Sequence, residues 1–248
     1  MNNSNQQFNN QKEINICNMN KDPQTKKVTT AFVNHINEYQ YSYNYTWMGR
    51  PIIQFPQDML AMQEAIMKIE PDLIIETGVA HGGSAVFHAS MLELLGDSCG
   101  VKREVAAVEI DLRKTNREAI DAHPMRKRIT ILEGSSTDPN IINQVSEIAS
   151  RHKTIMVALD SLHTHSHVYE ELKLYSPFVT LDSYIVVFDT IIEFMDKQWT
   201  DRPWGVGNNP YTAVQKWLGE NDCFVCDKQF DNKSLVTMNM GGWLRRIK

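Results

Sequence analysis

Two apolar rhythms alternate along this chain. Short, nearly continuous apolar runs over residues 72–77, 104–110, 128–132, 154–159 and 183–188 have the length and composition of buried strands. Between them lie stretches with helical spacing. Met59, Leu60, Met62, Ile66 and Ile69 predict a helix over 57–69 with one buried face. Further helices are expected from Ala85 to about Leu95, from near Leu112, over 140–150 behind Asp138-Pro139, over 168–176 and over 212–218. Repeated strand-helix units predict an α/β fold, a doubly wound Rossmann-like sheet that is mostly parallel. Two closely spaced runs, 224–229 and 234–240, predict an antiparallel C-terminal hairpin on its edge. Residues 1–25, rich in Asn and Gln, are expected to be a disordered leader. Residues 26–70 form an arm or cap broken by Pro51 and Pro56, and 71–248 form the α/β domain.

The stretch DLIIETGVAHGGS, Asp72 to Ser84, carries the first chemical signal. A strand runs into Glu76-Thr77-Gly78, and the loop closes through Ala80 and Gly82-Gly83 to a helix start at Ser84. In an open α/β sheet, ligands collect at the carboxyl ends of the strands, where the strand order reverses. The loop reads G-x-x-x-G-G rather than G-x-G-x-x-G, and it opens on a carboxylate. An acid there suits a cationic group better than a pyrophosphate, so S-adenosylmethionine (SAM), with its sulfonium and ammonium, ranks before a nicotinamide. A strand-helix turn with no ligand is the plain alternative.

Further acids close the later strands. Glu109 ends the second strand where nucleoside-binding sheets hold ribose hydroxyls, and Asp111 fits a helix cap better. Ser135 and Ser136 follow the third strand, at the place of the cofactor's base, although small hydroxyls also serve as ordinary turn residues. Asp160 and Asp189 end the fourth and fifth strands. As neighbours these strands set the two carboxylates roughly 5 Å apart. Such a pair repels unless a proton or cation lies between, and Mg²⁺ with waters and substrate oxygens suits it. Asp160 also borders the cofactor site, and His163 is placed to act as general base. A three-histidine site from His163, His165 and His167 is disfavoured, because a helix starting here scatters the rings. Trp47, Arg50 and Gln54 in the arm are candidates for a substrate-covering lid, or for a plain packed arm.

Composition narrows the partners. The chain has 248 residues, 42% hydrophobic and 22% charged, with a formal charge of -5 and no basic stripe, which disfavours nucleic acid. No apolar run has the length of a membrane span. Four cysteines, Cys17, Cys99, Cys223 and Cys226, are too scattered for a disulfide framework, and a cytoplasmic location is expected. Cys223 and Cys226, three apart, read as packing residues rather than half a zinc site.

The segments WMGRPIIQFPQDM, DLIIETGVAHGGS, EIDLR, LDSLHTHSHV, YIVVFDTIIE and RPWGVGNNP resemble the cephalosporin hydroxylase / rhamnosyl O-methyltransferase family over about Tyr45 to Lys248. The resemblance implies a SAM-dependent, metal-assisted O-methyltransferase acting on a sugar or natural-product hydroxyl, and a homo-oligomer. It implies that Glu76 and Gly78 border the methionine part of SAM, that Glu109 holds the ribose, that Asp160 and Asp189 are metal ligands and that His163 is the base. Relatives carry an acid directly before the second aspartate, where this chain has Phe188. Water, substrate or Glu193 is then expected to complete the metal sphere. Two rivals stand beside this reading: a hydroxylase or nicotinamide oxidoreductase on the same sheet, and a non-catalytic SAM-binding protein.

Overall fold

The computed structural model describes residues 3–98, 100–198 and 200–248. Helices α1 (Asn3–Lys21) and α2 (Pro23–Asn37) come first, joined at Asp22, whose carboxylate caps α2 by accepting the amides of Gln24 and Thr25. A small hairpin of β1 (Tyr45–Trp47) and β2 (Arg50–Ile52) leads to α3 (Pro56–Ile69). The domain then alternates β3 (Leu73–Thr77), α4 (Gly83–Leu95), β4 (Glu104–Glu109), α5 (Lys114–Asp121), β5 (Ile129–Glu133) and α6 (Pro139–Ala149). It continues through β6 (Ile155–Leu159), α7 (His165–Tyr175), β7 (Tyr184–Val187), α8 (Pro210–Glu220), β8 (Phe224–Cys226), α9 (Lys228–Ser234) and β9 (Trp243–Arg246).

Seven strands form one sheet in the order β5-β4-β3-β6-β7-β9-β8. The first five are parallel to one another, and β9 pairs antiparallel with both β7 and β8. The strand order reverses at β3, whose neighbours are β4 and β6, so the crevice for a ligand opens above its carboxyl end. Alternation along each strand feeds two cores. Ile74, Val105, Ala107, Met156, Ala158 and Val186 pack with α3 and α4, whereas Leu73, Ile75, Ala106, Val108, Val157 and Ile185 pack with α6, α7 and α8. Each fully buried aliphatic side chain contributes roughly 1.5–3 kcal/mol relative to exposure, which makes both faces the main source of stability.

The structure departs from the sequence expectations at both ends. The leader expected to be disordered is helical over Asn3–Lys21, largely exposed, and tied down by the Asn20 side chain donating to the Asn232 carbonyl at 2.7 Å. The arm carries the helix α2, and its stretch around Pro51 forms the hairpin of β1 and β2. At the other end, residues 234–240 are not a strand. Asp227 accepts the amide of Gln229 and starts α9, and the last strand is β9, which enters after the turn at Gly241 and pairs between β7 and the edge strand β8. The antiparallel pair is therefore β8 with β9, separated by a helix.

Candidate active site

Two glycines let the strand ends close up. Gly78 has φ +83°, and a Cβ there lies 2.0 Å from the carbonyl oxygen of Asp160, so only glycine lets the ends of β3 and β6 meet. At the start of α4, a Cβ on Gly83 falls 2.1 Å from the carbonyl oxygen of Pro51, which brings the arm down on the loop. Glu109, across the sheet, holds this loop in place. Its Oε2 accepts the amides of Val79 and Ala80 at 2.8 and 3.0 Å, and its Oε1 accepts that of Asp111 at 3.1 Å. A carboxylate has about four acceptor sites, so one remains for a ligand hydroxyl. Asp111 itself caps no helix, since α5 begins after Arg113 without a side-chain cap.

Above these ends lies a cavity of about 610 Å³. Of the candidates named from sequence, Gly78, Ala80, Ser84, Glu109, Ser135, Ser136, Asp160, His163, Asp189 and Gln54 line it. Five candidates do not. Glu76 turns into the protein, with Oε2 3.2 Å from Nδ1 of His88 on α4 and both side chains 1% exposed. Thr77 is fully buried, and Gly82 packs on Ile120 of α5. Trp47 donates from Nε1 to Ser90 Oγ at 2.9 Å and sets its ring edge-on to Phe87, which makes it an anchor of the arm rather than a lid. Arg50 is spent on the His81 carbonyl and on Asn116. Among further lining residues, Tyr43, His81, Ser161 and Trp204 have no role in the sequence reading, and His167 enters it only within the disfavoured three-histidine site. Trp204 was visible only as part of a Gly/Pro/Asn loop, with no periodicity to show where it points.

Asp160, His163 and Asp189 converge, each offering one donor atom within 4.8 Å of the others. β6 and β7 are adjacent and in register, Leu159 beside Val187, which sets the two aspartates side by side. The residue before Asp189, Phe188, is 3% exposed and belongs to the core, while Asp189 adopts φ 55°. That left-handed conformation, tolerated by Asp better than by most residues, turns its carboxylate out of the sheet towards β6. His163 Nε2 lies 3.0 Å from Asp189 Oδ2, and its ring meets Trp204 edge-on at 4.8 Å between centroids. Burial pushes Asp160 well above the ordinary carboxylate range, and the charges of Asp189, Glu76 and Glu171 push it further. Glu193 is not a donor here. Its Oε2 accepts from the Gly207 amide and the Asn209 side chain, and so closes the loop that carries Trp204.

The remaining histidines go elsewhere. His165 opens α7 and pairs with Thr212 at 2.8 Å. His167 Nε2 lies 3.1 Å from Ser136 Oγ and 3.0 Å from Ser161 Oγ, next to the fully buried Glu171. The HTHSH run thus serves three separate contacts, as expected for a helix start. Cys223 and Cys226 carry free sulfurs against the second core.

Curated rhamnosyl O-methyltransferases of Mycobacterium tuberculosis and Mycobacterium bovis are 31% identical over 207 residues, spanning 81% of this chain and 78% of theirs. The Mycobacterium leprae protein of that name is 32% identical over 146 residues, 58% of this chain and 60% of its own. Among solved structures, a CmcI structure with Mg and SAM superposes with a TM-score of 0.56 at 18% identity, covering 83% of this chain and 78% of that one. A CmcI structure with S-adenosylhomocysteine (SAH) gives 0.57 at 19%, covering 82% and 83%. At such identities the superpositions establish the fold, and with residues 39–247 matching Rhamnosyl O-methyltransferase/CmcI, the chain belongs to that family.

Proposed function

We propose that this protein transfers the methyl group of SAM to a hydroxyl of a sugar, with a divalent ion held by Asp160 and Asp189. SAM-dependent O-methyl transfer is the activity that family membership assigns. The sugar acceptor is the finer part of the reading, and its support is the relatives named as rhamnosyl O-methyltransferases. The observation that carries the reading is the meeting of Asp160, His163 and Asp189 at one wall of the cavity above β3.

The donor set fits a hard cation. Two carboxylates with an imidazole within 4.8 Å leave most of an octahedron open for water and substrate oxygens. Bound there, a divalent ion supplies charge that lowers the pKa of an acceptor hydroxyl. In this reading Glu109, which lines the cavity with Ser135 and Ser136, accepts from ribose hydroxyls, and the two serines border the base. His163 donates from Nε2 to Asp189 Oδ2 at 3.0 Å, which orients the ring and leaves Nδ1 as the basic nitrogen that takes the hydroxyl proton. As the C–O bond forms, the S–CH₃ bond breaks and SAH leaves.

A transfer assay tests this directly. SAM with a deuterated methyl group, Mg²⁺ and methyl α-rhamnopyranoside should yield label on a sugar oxygen, and chelation by EDTA should abolish it. Transfer unaffected by EDTA contradicts the metal role, and label on none of a panel of methyl glycosides contradicts the sugar acceptor.

A further inference from the structure

The main cavity has a second chamber of about 200 Å³ beside it, and the two share His163, Asp189, Trp204, Tyr43 and Ile53. The glycine loop, Glu109 and Ser135 belong to the larger chamber alone. The reactive trio thus stands between a space on the cofactor side and a smaller one facing the arm. An in-line displacement needs its nucleophile on the side of the methyl group opposite the leaving sulfur. The smaller chamber shares His163 and Asp189 with the larger one but none of the glycine loop, which suits it to the acceptor rather than to SAM.

Helix α2 helps wall this chamber. Val33 and Asn37 line it, and α2 lies outside the residues that match the family, 39–247. The helix is docked, not loosely attached. Val33 is 6% exposed and packs in one apolar cluster with Phe55, Ile191 and Met195. One turn-neighbour, Asn34, exchanges two hydrogen bonds with Asp196, Nδ2 to Oδ2 at 2.8 Å and the Asp196 amide to Oδ1 at 3.1 Å. These contacts join α2 to the segment that follows Asp189. The chamber is apolar at Val33, Phe55, Ile191 and Met238, polar at Asn37, Ser42 and Arg202, and flanked by the rings of Tyr43 and Trp204. That combination suits the C–H face and one hydroxyl of a saccharide ring.

We infer that α2 is this chain's own acceptor-selecting element, with Val33 and Asn37 contacting a single saccharide ring in the smaller chamber. The inference rests on the methyl-transfer reading above. Its test pairs SAH titration with steady-state kinetics on methyl α-rhamnopyranoside and on bulkier p-nitrophenyl α-rhamnopyranoside, for wild type, Val33→Ala, Val33→Trp and Asn37→Leu. Filling the chamber with Val33→Trp, or removing the amide with Asn37→Leu, should raise KM for the methyl glycoside about tenfold while SAH affinity stays at the wild-type value. Val33→Ala should shift preference towards the bulkier glycoside. Asn37→Leu, at a half-buried position, keeps the test decisive if Val33→Trp does not fold. Unchanged sugar KM in both variants, loss of SAH affinity in step with sugar KM, or no turnover of either glycoside by wild type that binds SAH would overturn the inference. Wild type that fails to bind SAH overturns the methyl-transfer reading itself, and this one with it.

Discussion

Asp189 sits at φ 55° directly after a core phenylalanine, and Gly78 touches the Asp160 backbone across the crevice. These two backbone positions decide where the reactive groups stand. Replacing Gly78 with Ala forces a methyl group to within 2.0 Å of a carbonyl oxygen at a φ that disfavours a side chain. The variant should lose SAH binding and melt earlier than wild type, and a variant that retains both would show that β3 and β6 need not approach so closely. His163→Gln keeps a polar side chain but not the base, so kcat should fall by about 10²–10⁴ with SAH affinity retained. A fall below about tenfold would move the proton acceptor to another group. At this scale the sequence was informative wherever a residue ends a strand, since Glu109, Asp160 and Asp189 follow their apolar runs directly and strand polarity puts them on one edge. It was uninformative where direction depends on a distant partner. Glu76 turns inward because His88 lies there, and Trp47 is held by Ser90 and Phe87, none of which spacing alone reveals.

Among the elements, α3 does more than cover a face of the sheet. Its Asp58 is 1% exposed and accepts from the Thr237 hydroxyl and, at 2.8 Å, from the Met238 amide. Met238 in turn accepts through its carbonyl from the Ile191 amide and the Thr190 hydroxyl, the two residues after Asp189. Burial pushes Asp58 up to about 7, with the charges of Asp231 and Asp189 adding and the bonds from Met238 and Thr237 opposing. Between the ordinary value of 3.8 and about 7, the folded protein holds this proton and the unfolded chain does not. Stability therefore falls as pH rises through that window, and the full cost is present above it. Asp58→Asn keeps an acceptor for Met238 and removes the titration. The melting temperature of wild type should drop more than that of the variant between about pH 5 and about pH 8, and equal drops would contradict the assignment. The elements the sequence concealed are α1, α2 and α9. Helices α1 and α2 carry mostly polar residues with little buried surface, so hydrophobic periodicity has little to report there. In α9 only Phe230 is buried, and its signal lay in the Asp227 cap rather than in any apolar rhythm.

On the scale of the whole molecule, the order β5-β4-β3-β6-β7 puts the reversal of the winding at β3, and Glu109, Asp160 and Asp189 face the same crevice. The parallel half of this arrangement was readable because five apolar runs alternate with helical stretches. The antiparallel edge was only half readable, because its last strand was expected nine residues too early, at 234–240 instead of Trp243–Arg246. No described helix is long and apolar enough to cross a membrane. The account as a whole holds that the large cavity is a SAM site coupled to a divalent ion at Asp160 and Asp189. Calorimetric titration of SAH into the protein, with and without Mg²⁺ and again with Asp160→Ala, tests this most directly. The account predicts saturable SAH binding, Mg²⁺ binding that Asp160→Ala removes, and no competition from NAD(P). Binding of NAD(P) without any binding of SAH would contradict it.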